Sequence, residues 1–162
     1  MIKVGILTLS DSRSSEPKND KSGPAIEEIV KEIDGIVEYY KVIPDEKELI
    51  KKELIHMCDD LKISLIFTTG GTGLSKRDVT PDATLEVIEK EVPGITETIR
   101  NESFKITNRA ILSRAVSGIR KESLIINLPG SPKAVKESLS FVLTALPHAI
   151  EVLKGDAHEC AR

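Results

Sequence analysis

Several things are scarce in this chain, and each scarcity narrows the reading. Two cysteines, Cys58 and Cys160, are too few for a disulfide framework, which fits a reducing compartment. No apolar run approaches the roughly 20 residues of a membrane span. The opening Met1-Ile2-Lys3-Val4-Gly5-Ile6-Leu7 is too short for a secretory leader. A cytoplasmic, soluble protein is expected. There is no basic excess, since 23 Lys and Arg stand against 26 Asp and Glu for a net charge of -3. Nothing therefore points to nucleic acid or an anionic membrane as a partner. An anionic small ligand would have to be held by local geometry. Tryptophan is absent and aromatics make up 3% of an otherwise ordinary globular composition. Repeats, linkers and low-complexity segments are missing too. The 162 residues read as one domain over 1–155 with a tail at 156–162.

What is present alternates. Residues 2 to 9, "IKVGILTL", read as a buried strand, followed by a polar loop and a helix near 22 to 34 with Ile26, Ile29, Val30 and Ile33 on one face. "GIVEYYKVI" reads as a second strand. "PDEKELIKKELIHMCDDL" reads as a helix, apolar at Leu49, Ile50, Leu54, Met57 and Leu61. "ISLIFTT" is a third strand, and helices are expected at about 81 to 90 and 95 to 105. "AILSRAVSGIRKES" is ambiguous, with a short turn followed by a strand as one reading, and "LIINL" is a strand. A long apolar stripe from Val135 to Leu153 predicts a helix that Pro147 kinks or splits. Strands alternating with helices predict a three-layer α/β/α domain, mostly parallel in its sheet, with helices on both faces.

In such a sheet the strand-to-helix loops gather at the carboxyl edge, where ligands bind. Asp11, Asp45, Asp78 and Lys133 are thereby expected at one crevice. The stretch "TTGGTGLSKRDVTPDAT", residues 68 to 84, crowds glycines and charges after a strand. Gly70, Gly71 and Gly73 let backbone amides approach a phosphate. Thr80 with Pro81, and Ser131 with Pro132, read as helix caps whose free N–H groups face the same crevice. The dinucleotide and P-loop patterns both fail at Ser75-Lys76-Arg77.

Each charged residue has a bland reading beside the functional one. Asp45 with Glu48 approximates a capping box. Asp82 sits in a first helical turn, where a carboxylate is favoured. Asp78 precedes the helix and is either a solvated loop acid or a carboxylate beside phosphate-cradling amides, with Mg²⁺ between them. Arg77, Lys76 and Lys133 are surface charges or counter-charges to phosphate. His56 and Cys58 point different ways on a helix, and His158 and Cys160 lie in the tail, so neither pair reads as a chelate. The chemistry points to a phosphate ligand with a divalent cation, and to phosphoryl or nucleotidyl transfer.

"TTGGTGLSKRDVTPDAT", "LSRAVSGIR" and "LIINLPGSPKAVKESL" together closely resemble the Mog-type molybdopterin adenylyltransferases of molybdenum cofactor synthesis. The likeness runs from the first strand to "LPHAIEVL". The resemblance implies Mg²⁺-dependent adenylylation of molybdopterin by ATP, with release of pyrophosphate. It implies that Asp45 and Asp78 position Mg²⁺ and phosphate, and that Gly70, Gly71, Thr72 and Gly73 form the nucleotide-phosphate loop. Ser10 and Asp11 match the "SD" after the first strand. Ser113, Arg114, Gly118, Pro129, Gly130, Ser131 and Lys133 match pocket-lining motifs. Arg77, Thr80 and Asp82 complete the candidate set. The resemblance further implies a homotrimer and possible hand-over to the metal-insertion enzyme. The sister Moa-type proteins share the motif core, so a non-catalytic molybdopterin-binding or scaffolding protein stays open, as does an unrelated Mg²⁺-dependent phosphate enzyme on this fold.

Overall fold

Strand β1 (Ile2–Leu9) is buried along nearly its whole length in the computed structural model, which describes residues 1–156. Its alternation is too apolar for a half-exposed strand, and a strand covered on both faces must lie inside a sheet. The helix α1 (Ser22–Val30) ends in a single 3₁₀ turn over Lys31–Ile33, and Asp34 closes it in a left-handed conformation. Strand β2 (Gly35–Ile43) follows, then α2 (Lys47–Ile55), which widens into a π turn over His56–Asp60. Next come β3 (Leu65–Thr69), α3 (Thr80–Val87), the two-residue β4 (Lys90–Glu91) and α4 (Pro93–Phe104). A 3₁₀ segment, Asn108–Leu112, leads to β5 (Ser117–Arg120), β6 (Ser123–Leu128) and α5 (Pro132–Val142). The last helix is α6 (Leu146–Lys154). Pro147 lies in its first turn, so the expected long helix is split, with a 3₁₀ turn at Leu143–Ala145 between the halves.

The six strands are ordered β2-β1-β3-β6-β5-β4. β2, β1, β3 and β6 are parallel, β5 runs antiparallel to β6, and β4 antiparallel to β5. One face of the sheet packs Val4, Phe67 and Ile126 against α1, α5 and α6. The other packs Leu7, Ile66 and Ile125 against α2 and α3. This is the expected three-layer arrangement. Phe67 is fully buried, and each such side chain contributes roughly 1.5–3 kcal/mol by leaving water.

Two sequence expectations need correction. The helix predicted over 81 to 90 stops at Val87, because Ile88 turns extended at ψ 149° and Lys90 joins the sheet as β4. Neither Thr80 nor Asp45 caps a helix through its side chain. The residue at the start of α3 is Val79 and that at the start of α2 is Glu46, both without a side-chain cap. His158, Cys160 and nearly all of the expected tail lie outside the described residues. Among the described residues no helix is long and apolar enough to cross a membrane.

Candidate active site

β1 sends its chain to β2 on one side and β3 sends its chain toward β6 on the other, so a crevice opens between the carboxyl ends of β1 and β3. The loops that expectation placed there do meet. Gly70 N–H donates to Leu128 O at 3.2 Å, and Thr69 Oγ1 donates to Pro129 O at 2.6 Å, so the glycine loop is tied to the end of β6. Gly70 and Gly71 hold φ 97° and 68°, a region that other residues rarely adopt. A Cβ at Gly71 would collide with Thr80 Oγ1 and reach within 3.0 Å of Asp45 Oδ1, and one at Gly73 would lie 2.8 Å from Asp78 Oδ2. The loop is therefore glycine-rich because carboxylates and a hydroxyl already occupy the space beside it. Thr80 uses its hydroxyl to donate to Gly70 O at 2.9 Å, which is why it is unavailable as a cap.

The carboxylates form a chain. Asp11 N–H donates to Asp45 Oδ2 and Asp45 N–H donates to Asp11 Oδ1, both at 3.0 Å. Asp11 also accepts from Arg77 Nε and Nη2 at 2.9 and 2.7 Å, and this guanidinium holds its carboxyl below the usual range. Asp78 Oδ2 accepts from Ser75 N–H at 3.0 Å. Asp45 is the exception. Its Oδ1 is buried with no hydrogen-bond partner. Burial, with the nearby negative charges of Asp11 and Asp78, pushes its carboxyl above the usual range.

An orphaned carboxylate oxygen costs about 1–3 kcal/mol, more for a charged group. A proton or a cation would satisfy it. Among the described residues no cluster of three or more His, Cys, Asp or Glu forms a closed metal cage. A cation here would rest on one or two carboxylates and complete its shell with water and phosphate oxygens. That is the coordination habit of Mg²⁺, and the donor set fits it.

Beside the carboxylates, and sharing Thr72 and Gly73 with the loop, lies a cavity of about 300 Å³ lined also by Arg100, Arg109, Ser113 and Asn127. Asn127 was not singled out from the sequence. It is buried in β6, donates through Nδ2 to Thr68 and Thr84 hydroxyls at 2.9 and 3.0 Å, and accepts from Val116 N–H at 3.1 Å. An amide in the middle of "LIINL" was the available signal. Arg100 and Arg109, which also line this cavity, lie inside the helix expected at 95 to 105 and just before the ambiguous stretch, where neither carries a motif. A larger hollow of about 650 Å³ between β2 and α2 holds none of the candidate residues. Its buried Glu53 already accepts from Tyr39 and Lys41, at 2.5 and 2.6 Å, so its charge is met.

The remaining candidates separate. Arg114 donates to Gly73 O, Asp78 O and both Asp82 oxygens, at 2.5 to 3.1 Å. It staples the glycine–aspartate loop, and Asp82 is its counter-ion, held below the usual carboxylate range by that contact. Ser10 Oγ accepts from Arg13 N–H at 3.2 Å within the loop after β1. Ser131 caps α5 as expected, accepting from Ala134 N–H at 3.1 Å. Gly130 packs its backbone on Gly70, where a Cβ would meet Gly70 Cα at 3.4 Å, and Lys133 is exposed. Gly118 is not at the crevice. It pairs with Ile125 and Glu91 inside the sheet, and its missing side chain makes room for Ile88 and Lys90 O.

A doubly wound α/β protein with an anion-ready crevice at its switch point is what these features define. The chain belongs to the family described as the probable molybdopterin binding domain, whose model matches residues 5–148. It is 45% identical over 96% of its length to a protein named molybdopterin adenylyltransferase from Helicobacter pylori, covering 89% of that protein. It is 40% identical over 99% of its length to the protein of the same name from Escherichia coli, again covering 89% of it. The fold matches the molybdopterin biosynthesis enzyme MoaB from Thermus thermophilus with a TM-score of 0.90 and 45% identity, covering 96% of this chain and 98% of that one.

Proposed function

We propose that this chain is a molybdopterin adenylyltransferase that works in molybdenum cofactor synthesis. The observation that carries the reading is the buried, unpartnered Asp45 Oδ1 beside a glycine loop that also abuts Asp78. A protein that only bound its ligand would have no use for that oxygen. An enzyme that handles phosphates through a divalent cation would. The names of the relatives supply the substrate, and the crevice is chemically consistent with it.

In this reading the glycine loop and Arg77 receive the ATP phosphates. The neighbouring cavity, with its apolar walls, Asn127 and two arginines, receives the pterin and its phosphate. A terminal phosphate oxygen of molybdopterin bonds to the α-phosphorus of ATP, the α–β bond breaks, and pyrophosphate leaves. Asp45 and Asp78 would hold Mg²⁺, which supplies charge neutralisation at the phosphates when bound. Arg114 keeps Gly73 and Asp78 in place through the backbone. No side chain of the crevice has to act as nucleophile. We also propose that the chain acts in the cytoplasm, assembles as a homotrimer and passes its product to the metal-insertion enzyme. Exposed apolar side chains at Phe104, Ile106 and Ile111 support self-assembly.

The test is a turnover assay with purified protein, molybdopterin, ATP and Mg²⁺, following adenylylated pterin and pyrophosphate together. Equal amounts of both are expected. Tight pterin binding with no product would instead make the chain a molybdopterin-binding protein without chemistry.

A further inference from the structure

The opposite, amino-terminal edge of the sheet holds a second charged hollow. A cavity of about 360 Å³ is lined by Lys3, Lys62, Lys121 and Lys154, with Glu122 the one carboxylate among its walls and Cys58 against it. Lys3 leans on Glu38 at 3.4 Å, and Lys121 on Asp59 at 3.1 Å, but Asp59 is also matched by Arg120 at 2.8 Å. Lys62 and Lys154 form no ion pair among the described residues. Cys58 brings no charge, since burial pushes its thiol up to about 11. The chain as a whole carries -3, so a cavity wall with four lysines, two of them without an ion pair among the described residues, and one carboxylate is a local excess of positive charge.

Backbone conformation adds an independent observation. Three non-glycine residues have positive φ, and two of them are Lys62 at 55° and Lys121 at 52°. Lys62 follows the π turn, where Ile63 N–H closes on Met57 O at 3.0 Å. Lys121 opens the two-residue hairpin between β5 and β6, whose flanking Arg120 and Ser123 are paired. Both positions ordinarily suit glycine or asparagine. A lysine is strained in the left-handed region, and both strained lysines border the same cavity.

We propose that this basal cavity binds a small phosphate-bearing molecule with at least two negative charges, held by Lys62 and Lys154. Ammonium groups carried by four different elements around one cavity suit tetrahedral phosphate oxygens. A planar carboxylate would be served better by a guanidinium fork, and the nearby Arg120 is committed to Asp59 and Val87 O. The ligand would bridge the start of β1, the turn before β3, the β5–β6 hairpin and the end of α6. It would therefore stabilise the folded chain by mass action. The site is remote from the crevice and does not depend on the activity proposed for it.

Inorganic pyrophosphate is the probe, read by amide NMR on the full chain so that position is resolved. Amides of residues 62–64 and 121–123 are expected to shift along one saturation curve, distinct from that of residues 70–73. In the double variant Lys62→Gln, Lys154→Gln the basal midpoint should rise at least about tenfold, as loss of charge-assisted contacts implies, while the crevice curve stays put and reports an intact fold. Lys62→Gly, which suits the left-handed turn, should melt higher yet bind more weakly at the base. The proposal is overturned if the basal amides stay still, move equally with potassium chloride of matched ionic strength, or follow the same curve in the double variant.

Discussion

The two halves of the crevice are made of different material. The glycine-loop half is backbone and carboxylate: Asp45 and Asp78 crowd around residues 70 to 73, Asp11 is bonded to Asp45, and one oxygen is left without a partner. The cavity half is walled by apolar and polar side chains with Arg100 and Arg109 among them, and its buried amide, Asn127, has both ends satisfied. The first half leaves one buried oxygen that a proton or a cation would satisfy. The second is complete without its ligand. Substitutions in the loop half should therefore cost activity more than stability, and those in the cavity half should cost both.

The largest effect should come from Asp78→Asn. Turnover is expected to fall by about 100-fold or more, as when a group that positions transition-state charge is removed, with the thermal midpoint unchanged. Wild-type turnover would end its proposed role. Asn127→Ala should cost stability as well as activity. Stranding the amide of Val116 and removing the partner of the Thr68 hydroxyl is expected to lower unfolding free energy by about 1–3 kcal/mol, and denaturant titration would measure it. A neutral result would mean that water replaces the amide and that the two halves are less different than they look.

Asp45→Asn sharpens the contrast through pH. The folded-state value of Asp45 lies above its ordinary 3.8. Its stabilising contribution is thus complete on the acid side of 3.8 and is lost as pH rises through the raised value. Asn carries no such slope. Relative to wild type, the variant should gain stability toward neutral pH while losing turnover. Asp59, outside the crevice, has the opposite sign. Arg120 and Lys121 hold it at about 2, so its contribution stands above 3.8 and fades as pH falls toward 2. Asp59→Asn should flatten that part of the acid unfolding curve. The smallest effect is Ser131→Ala, a lost cap worth about 1 kcal/mol by thermal melt.

Much of this architecture was legible because hydrophobic period survives in the sequence. Val135, Leu139, Val142, Leu146 and Ile150 are all buried on one stripe, and the proline splits that stripe as its chemistry requires. The meeting of Asp11, Asp45 and Asp78 followed from alternation alone. Local mimicry misled elsewhere. Thr80-Pro81 and Ser131-Pro132 look alike in sequence, yet only Ser131 has the extended backbone, at ψ 142°, that aims a hydroxyl back at its own helix. Thr80 is already inside α3, so its hydroxyl reaches across to Gly70. Asp45 resembled a capping residue because Glu48 follows it, but its carboxylate is claimed by Asp11 N–H from a loop 34 residues away. β4 was invisible, since a two-residue strand exists only through its partner β5.

The strand order has a consequence for the chain as it is made. β3, every residue of it buried in the finished sheet, finds β1 on one side early in synthesis. Its other side belongs to β6, which begins only at Ser123. Until then the nascent half-sheet exposes a row of unpaired amides on "LIFTT", a segment suited to pairing with a neighbouring chain. The order 2-1-3-6 thus makes the ribosome's pace, and whatever shields emerging chains, part of what this protein needs in order to reach its fold.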